Sequence, residues 1–291
     1  MAQDYYTPEQ LEKLHELELQ ILRDFVKVCE ENNLTYFGMA GTALGAVRHK
    51  GYIPWDDDID IAIPRKDFDV LIKIFEKEYA DKYYILNTEH NPNYPLPTTR
   101  ICIKGTKFVE KYFVDIDCDF GVFLDVFPYD NLADNKFERF WQLWIAWFWG
   151  KLLILRSIKS PYLAIGGLGG KVLKCIFAMV HYTLKFFHVP KKWIYKQCKR
   201  VCTGYNDRKT RLIGFPCDTS PHWDTISRKQ LFPLVDMEFE GMMIKFPRDT
   251  KHVLVSNYGP DYMKLPPVEK RKTHFPRFLD LGDGKLIEGK R

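Results

Sequence analysis

Asp58-Ile59-Asp60-Ile61-Ala62-Ile63 begins by alternating acid with isoleucine. In an extended strand successive side chains leave opposite faces, so both aspartates share one face while Ile59, Ile61 and Ile63 pack behind it. A second stretch, Gly121-Val122-Phe123-Leu124-Asp125-Val126-Phe127, sets a lone acid among residues that belong in a core, and Pro128 is expected to close it. A carboxylate in such a place needs a partner, because an unpaired charge is costly to desolvate. Magnesium and similar hard cations are held by one or two carboxylates plus substrate phosphates. Asp58 and Asp60 at i, i+2, joined by Asp125 from a neighbouring strand, supply that donor set for Mg2+, with Mn2+ as the alternative ion. Such sites stabilise the attacking and leaving oxygens of an in-line displacement at phosphorus.

Upstream, Thr7-Pro8-Glu9-Gln10 has the form of a helix start, with Thr7 as cap. Leu11, Leu14, Leu17, Ile21, Phe25 and Val28 then recur at helical spacing and define a buried face, which Asn32 and Asn33 end. Leu34 to Met39 is expected to be a strand, and Ala40-Gly41-Thr42 turns it into a short helix reaching about His49. The Gly41-Thr42 turn would offer backbone N–H groups to a phosphate, with Arg48 adding a charge-assisted contact. A calcium-loop reading of Asp56 to Asp60 fails, because Ile61 stands where glycine is required and Asp67 where glutamate is. A merely solvated acidic loop would not explain the alternating isoleucines. Asp56 and Asp57 either orient the ligands or are solvated.

A chain of 291 residues with 46% hydrophobic content can bury a substantial core, which excludes disorder and favours one domain over 1–291 with an elaboration. The net charge of +5 is too mild for a general nucleic-acid binder. The seven cysteines form no CxxC pair and fit reduced thiols. Cys198 and Cys202 can share a helix face, but a metal there would need ligands from elsewhere. Met1 to Tyr6 carries an acid and no apolar run, so a secretory signal is not expected and cytoplasmic residence is the default. From Lys136 to Arg200 the composition changes, with thirteen Lys or Arg against one acid, Glu138. This reads as a helical insertion without a charge-free run long enough to span a bilayer. Trp141, Trp144, Trp147 and Trp149, with Lys151 and other basic residues, suit peripheral docking on the inner face of an anionic membrane, or packing against another surface.

Gly41-Thr42-Ala43-Leu44-Gly45-Ala46-Val47-Arg48, followed by Gly51-Tyr52-Ile53-Pro54-Trp55-Asp56-Asp57-Asp58-Ile59-Asp60-Ile61, resembles the signature of the LicD family. Gly121 to Pro128 resembles its second acidic strand, and Tyr258-Gly259, Asp261-Tyr262-Met263 and Pro266-Pro267 resemble its C-terminal motif. The resemblance implies an α/β (α+β) nucleotidyltransferase-like fold, a mixed sheet flanked by helices. It also implies transfer of phosphocholine from CDP-choline to a hydroxyl of a cell-surface glycan precursor, of teichoic acid or lipopolysaccharide type, with release of CMP. Similar proteins move ribitol or glycerol phosphate from other CDP-alcohols; nucleotide transfer and an inactive membrane-surface adaptor are the remaining alternatives. Asp58 and Asp60 would bind magnesium on the diphosphate, and Asp125 would complete the site or accept the acceptor's proton. Arg100 would contact phosphate or, preferably, form an ion pair. A quaternary ammonium is recognised by aromatic faces, for which Trp55, Tyr52, Tyr258 and Tyr262 are candidates and core packing the competing role.

Overall fold

The computed structural model describes residues 5–161, 167–218, 220–271 and 273–290. Met1 to Asp4 and residues 162–166 of the insertion lie outside them. Helix α1 (Pro8–Glu31) starts as its sequence requires: Gln10 N–H donates to Thr7 Oγ1 at 3.2 Å, and Thr7 N–H donates to Gln10 Oε1 at 2.9 Å. Leu14, Ile21, Phe25 and Val28 are buried, while Leu11 and Leu17 pack at the margin of the same core. The strand expected over 34–39 shrinks to β1 (Phe37–Gly38), and α2 (Ala40–His49) follows.

Next come β2 (Asp60–Pro64), α3 (Arg65–Glu78), β3 (Tyr83–Leu86), β4 (Thr99–Ile103), β5 (Lys107–Val109) and β6 (Phe123–Leu132). The insertion supplies α4 (Lys136–Ser157), α5 (Gly167–Phe186) and α6 (Lys191–Cys202). The chain ends with β7 (Leu212–Phe215), β8 (Asp224–Ser227), α7 (Arg228–Leu231), β9 (Val235–Phe239), β10 (Met242–Phe246), α8 (Thr250–Tyr258), β11 (Phe278–Asp280) and β12 (Ile287–Glu288). The main sheet runs β1-β2-β6-β4-β3, with β7 joining the end of β6 and β8 joining β7. Strands β2 and β6 are parallel and the other pairs antiparallel, which is the expected mixed sheet. Helices α1 and α3 pack on it.

Two boundaries differ from expectation. Strand β2 begins at Asp60, so Asp58 sits in the irregular segment before it. Strand β6 runs through Pro128 to Leu132 instead of stopping there. The reason lies in the hydrogen-bond alternation of a strand. Asp125 N–H donates to Ile59 O on the β2 side, so Phe127 and Tyr129 also face β2, and Pro128 faces the other way. On that side the pairing with β4 ends at Val126 and the pairing with β7 starts at Asp130. The missing N–H of Pro128 therefore falls in a gap where no ladder bond is needed.

The insertion is packed onto the body. Helix α4 lies against α6, and Gln142 bonds the backbone of Ala133, Asn131 and Cys202. Trp141 and Trp144 are exposed as expected, but Trp147 and Trp149 are half-buried, Trp149 against Trp193 with ring centroids 5.4 Å apart. Lys151 is also half-buried, with its ammonium 5.6 Å from the Trp147 ring, so it is not part of an open basic face. Among the described residues no single helix is long and apolar enough to cross a membrane.

The turn from β2 into α3 is clamped to the end of β6: Arg65 donates from Nε and Nη2 to the two oxygens of Asp130 at 2.9 and 2.8 Å, and Asp130 is fully buried. Removing one member of a buried pair strands the other charge. We expect Asp130→Ala to cost about 3–5 kcal/mol, measured as a fall in the denaturant midpoint. A loss no larger than that of an exposed pair such as Lys13–Glu16 would show the clamp to be unimportant.

Candidate active site

The backbone brings the predicted acids together. In the parallel pair Asp60 stands beside Asp125, and in the antiparallel pair Asp125 stands beside Arg100. Register partners share a sheet face, so Asp60, Asp125 and Arg100 form one row across three strands. Arg100 donates from Nε to Asp125 Oδ1 at 3.1 Å and from Nη2 to Glu110 Oε1 at 2.7 Å, with its guanidinium 3.7 Å from the Phe123 ring centroid. It is thus the ion-paired residue, and it fixes the orientation of Asp125.

The Gly41-Thr42 turn grips the same row. Asp60 N–H donates to Thr42 Oγ1 at 2.8 Å, and Met39 N–H donates to Asp60 O at 3.1 Å, so the entrance of α2 positions the first residue of β2. Thr42 is buried in this role. Helix α2 opens without a side-chain cap, and Asp56 lies so close that a Cβ on Gly41 would stand 2.6 Å from its Oδ2. Gly45 is needed for a different contact: a Cβ there would come 2.3 Å from Gly51 O, where the chain folds back on the helix. Arg48 lies at the far end of α2, donating to Tyr262 O at 3.1 Å and to His49 Nε2 at 3.1 Å. It anchors the 259–264 loop.

Asp57 is buried and holds two distant segments, accepting from Tyr6 Oη at 2.8 Å and from His274 N–H at 2.9 Å. Its neighbours Asp58 and Asp60 are half-buried, and among the described residues no hydrogen bond or ion pair reaches either carboxylate. Burial first, and then the neighbouring acids, hold the Asp58 and Asp60 carboxyls well above the usual carboxylate range. Burial likewise pushes Asp56 up to about 6, and it raises Asp125 against the opposing pull of Arg100. Crowded hard oxygens with too few protein cations suit a divalent metal. Their oxygens are nevertheless not gathered as tightly as another trio. Cys198, Cys202 and Cys217, with ligand atoms all within 4.8 Å of one another, are the one such cluster among the described residues. Cys217 is the third sulfur that the sequence did not connect with Cys198 and Cys202. All three are buried free thiols whose pKa values are raised well above the ordinary value.

Of the aromatic candidates, Tyr52 is buried, stacked on His15 at 3.6 Å and bonded through Oη to Glu18 at 2.9 Å. It is a core residue, and the expectation of an open cation-binding face is corrected there. Trp55 is half-buried and already faces a cation, the Arg271 guanidinium 4.4 Å from its ring centroid. Tyr258 is exposed, meets Trp223 edge-on at 6.3 Å, and has its hydroxyl pKa raised by burial and by Asp60, Asp56 and Asp58. Tyr262 is half-buried against the core. Three further residues carry no local signal in the sequence. Asp218 acts on Asp60, on buried Asp224 and on Lys151, which links the insertion electrostatically to the acids. His274, 217 positions from Asp57, is the cation facing Asp56, Asp58 and Asp125.

The bond to Asp57, then the nearby acids, lifts the His274 pKa to about 10. A raised folded-state pKa stabilises the fold fully below the unfolded value of about 6.5, and the gain disappears as pH rises through about 10. With its side chain 64% exposed, solvent screening keeps the effect small. The His274 ring signals in an NMR titration should stay in the protonated position at pH 8, and the stability advantage over His274→Gln should shrink between pH 7 and 10. A ring titrating near 6.5 would contradict this assignment.

A family model described as LicD/FKTN/FKRP, nucleotidyltransferase domain, matches residues 33–149, which hold Gly41, Thr42, Asp58, Asp60, Arg100 and Asp125. The chain is 26% identical over 274 residues to the lipopolysaccharide cholinephosphotransferase LicD of Haemophilus influenzae, covering 88% of this chain and 92% of that protein. Uncharacterised proteins of Rickettsia prowazekii and Rickettsia typhi each share 48% identity over 48 residues, 16% of this chain and 18% and 16% of theirs. With the paired acidic strands and the small-residue turn that positions them, these matches carry one conclusion: residues 33–149 match the LicD family domain, and the chain is similar along most of its length to a LicD protein.

Proposed function

We propose that the protein transfers phosphocholine from CDP-choline to a hydroxyl of a lipid-linked glycan precursor and releases CMP, working at the inner face of a membrane. The observation that carries this reading is the row of Asp60 and Asp125 with Asp58 beside it, an excess of oxygen donors over the protein's own cations. Similarity to a lipopolysaccharide cholinephosphotransferase across most of the chain supports choline as the alcohol and a glycan as the acceptor. Asp58, Asp60 and Asp125 would hold magnesium. Bound there, magnesium would supply neutralisation of charge on the diphosphate.

The chain's own residues position the groups. Thr42 fixes the backbone of Asp60, and Arg100 holds Asp125 Oδ1. No bond reaches Asp125 Oδ2 among the described residues, which leaves that oxygen for a ligand or for the proton of the acceptor hydroxyl. The hydroxyl oxygen attacks the phosphorus of the phosphocholine half, the bond to the bridging oxygen breaks, and CMP carries that oxygen away. Transfer of a nucleotide is the second reading, favoured by the nucleotidyltransferase description of the family model. Incubation with magnesium, CDP-choline and a glycan acceptor separates them: CMP release supports phosphocholine transfer, pyrophosphate release from a nucleoside triphosphate supports the other. Neither product, with no magnesium binding, would favour the inactive adaptor.

Asp58→Asn, Asp60→Asn and Asp125→Asn should each lower turnover by about 10²-fold or more. In the metal-free protein Asp60→Asn relieves like-charge crowding, so its melting temperature should match or exceed wild type. Magnesium should raise the wild-type melting temperature and leave that of Asp60→Asn unmoved. Near-normal turnover by Asp60→Asn at saturating magnesium would sink the proposed site.

A cation contact at an aromatic face contributes about 0.5–2 kcal/mol. Since Trp55 already holds a guanidinium, Trp55→Ala should raise the KM for CDP-choline more than that for CDP-glycerol or CDP-ribitol. Equal effects on all three donors would remove Trp55 from choline recognition and leave Tyr258 as the exposed ring near the acids.

A further inference from the structure

Helix α5 is the most apolar helix among the described residues, yet only Gly170 and His181 of its 20 residues are buried. Leu168, Val172, Ile176, Met179 and Phe186 are exposed and recur at helical spacing, so they form one stripe along it. The helix is not loosely attached. His181 Nδ1 bonds Leu155 O of α4 at 2.7 Å, and Arg156 Nε donates to Val189 O at 2.8 Å just beyond the helix end. Helix α4 adds exposed aromatics of its own, Phe137, Trp141, Trp144 and Phe148, again one helical stripe. From Arg139 to Asn206 there is no aspartate or glutamate, while Lys171, Lys174 and Lys185 lie on α5 itself.

We propose that α5, braced by α4, lies in the headgroup layer of an anionic lipid bilayer with its apolar stripe inserted. An apolar face flanked by basic residues is the composition of interfacial helices. Charge decides the occupant. A symmetric dimer through α5 would set the same lysines against each other with no acid to pair them, because an isologous interface repeats one patch. Anionic lipid complements them. An upright helix is disfavoured by the lysines within α5 and by the 113° bend between it and the following helix. The docking does not rest on the transferase reading, and its test needs no donor.

The full chain should cosediment with phosphatidylglycerol-containing vesicles at low salt and be released at high salt, and it should bind phosphatidylcholine vesicles far less. Replacing Ile176, Met179 and Phe186 together by serine, or Lys171, Lys174 and Lys185 together by glutamate, should weaken binding on the order of a hundredfold. Both variants should keep the wild-type far-UV circular dichroism and melting temperature, which separates lost docking from lost fold. As a check without variants, brominated lipid should quench the tryptophan fluorescence of the intact protein. The proposal is overturned if the intact protein stays in the supernatant with anionic vesicles at low salt. It is also overturned if both variants bind as well as wild type, or if the protein is a dimer in solution whose α5 is protected from hydrogen exchange.

Discussion

Two carboxylates on adjoining parallel strands repel each other, and that repulsion organises what surrounds Asp60 and Asp125. Paired strands lie about 4.8 Å apart, a spacing at which like unit charges cost about 3 kcal/mol at an effective dielectric of 20. A domain is stable by only about 5–15 kcal/mol. The pair therefore cannot stand ionised without compensation, and the protein supplies part of it. Arg100 is paired with Asp125 from the next strand, and His274 adds a positive charge from the far end of the chain. What remains uncompensated is centred on Asp60, which no protein cation offsets among the described residues, and on Asp58, which has only the through-space charge of His274.

The compensation comes from segments far apart in sequence. Asp57 joins Tyr6, before the first helix, to His274, near the C-terminus, and Arg271 lies over Trp55 in the same region. Arg48 holds the backbone of the 259–264 loop. Both ends of the chain thus close around the acidic loop, and its conformation is a property of the whole domain. Asp57 and Asp58, adjacent in sequence, have opposite roles: one has its charge consumed by structure, the other is left available.

Periodicity made much of this legible in advance. The alternation at 58–63, the apolar run around Asp125 and the capped first helix each depend on near neighbours; the helix starts at its cap and both strands form, although β2 begins only at Asp60 and β6 runs on past Pro128. The mixed sheet followed from them together with the family resemblance. What the sequence concealed depends on distance. His274, Asp218 and Asp224 are ordinary residues in ordinary stretches, and only tertiary folding brings them to the acids. Tyr52 misled because a motif aromatic is equally suited to a core, and Glu18 and His15 claim it there. Cys217 could not be joined to Cys198 and Cys202 because the link runs through packing of the loop after β7 against α6. In the insertion the composition foretold helices, but which tryptophans are covered was decided by the contact between α4 and α6.

Pro128 has a role larger than tolerance. Sliding β6 by one residue along β2 would turn its ring nitrogen toward β2, where a hydrogen-bond donor is required, and would swing Asp125 to the opposite face of the sheet. The misaligned strand would lose a ladder bond and strand a carboxylate away from Arg100 in the same step. An atom the residue lacks thus acts as an alignment key, rejecting the neighbouring register before any ligand is present to select the right one.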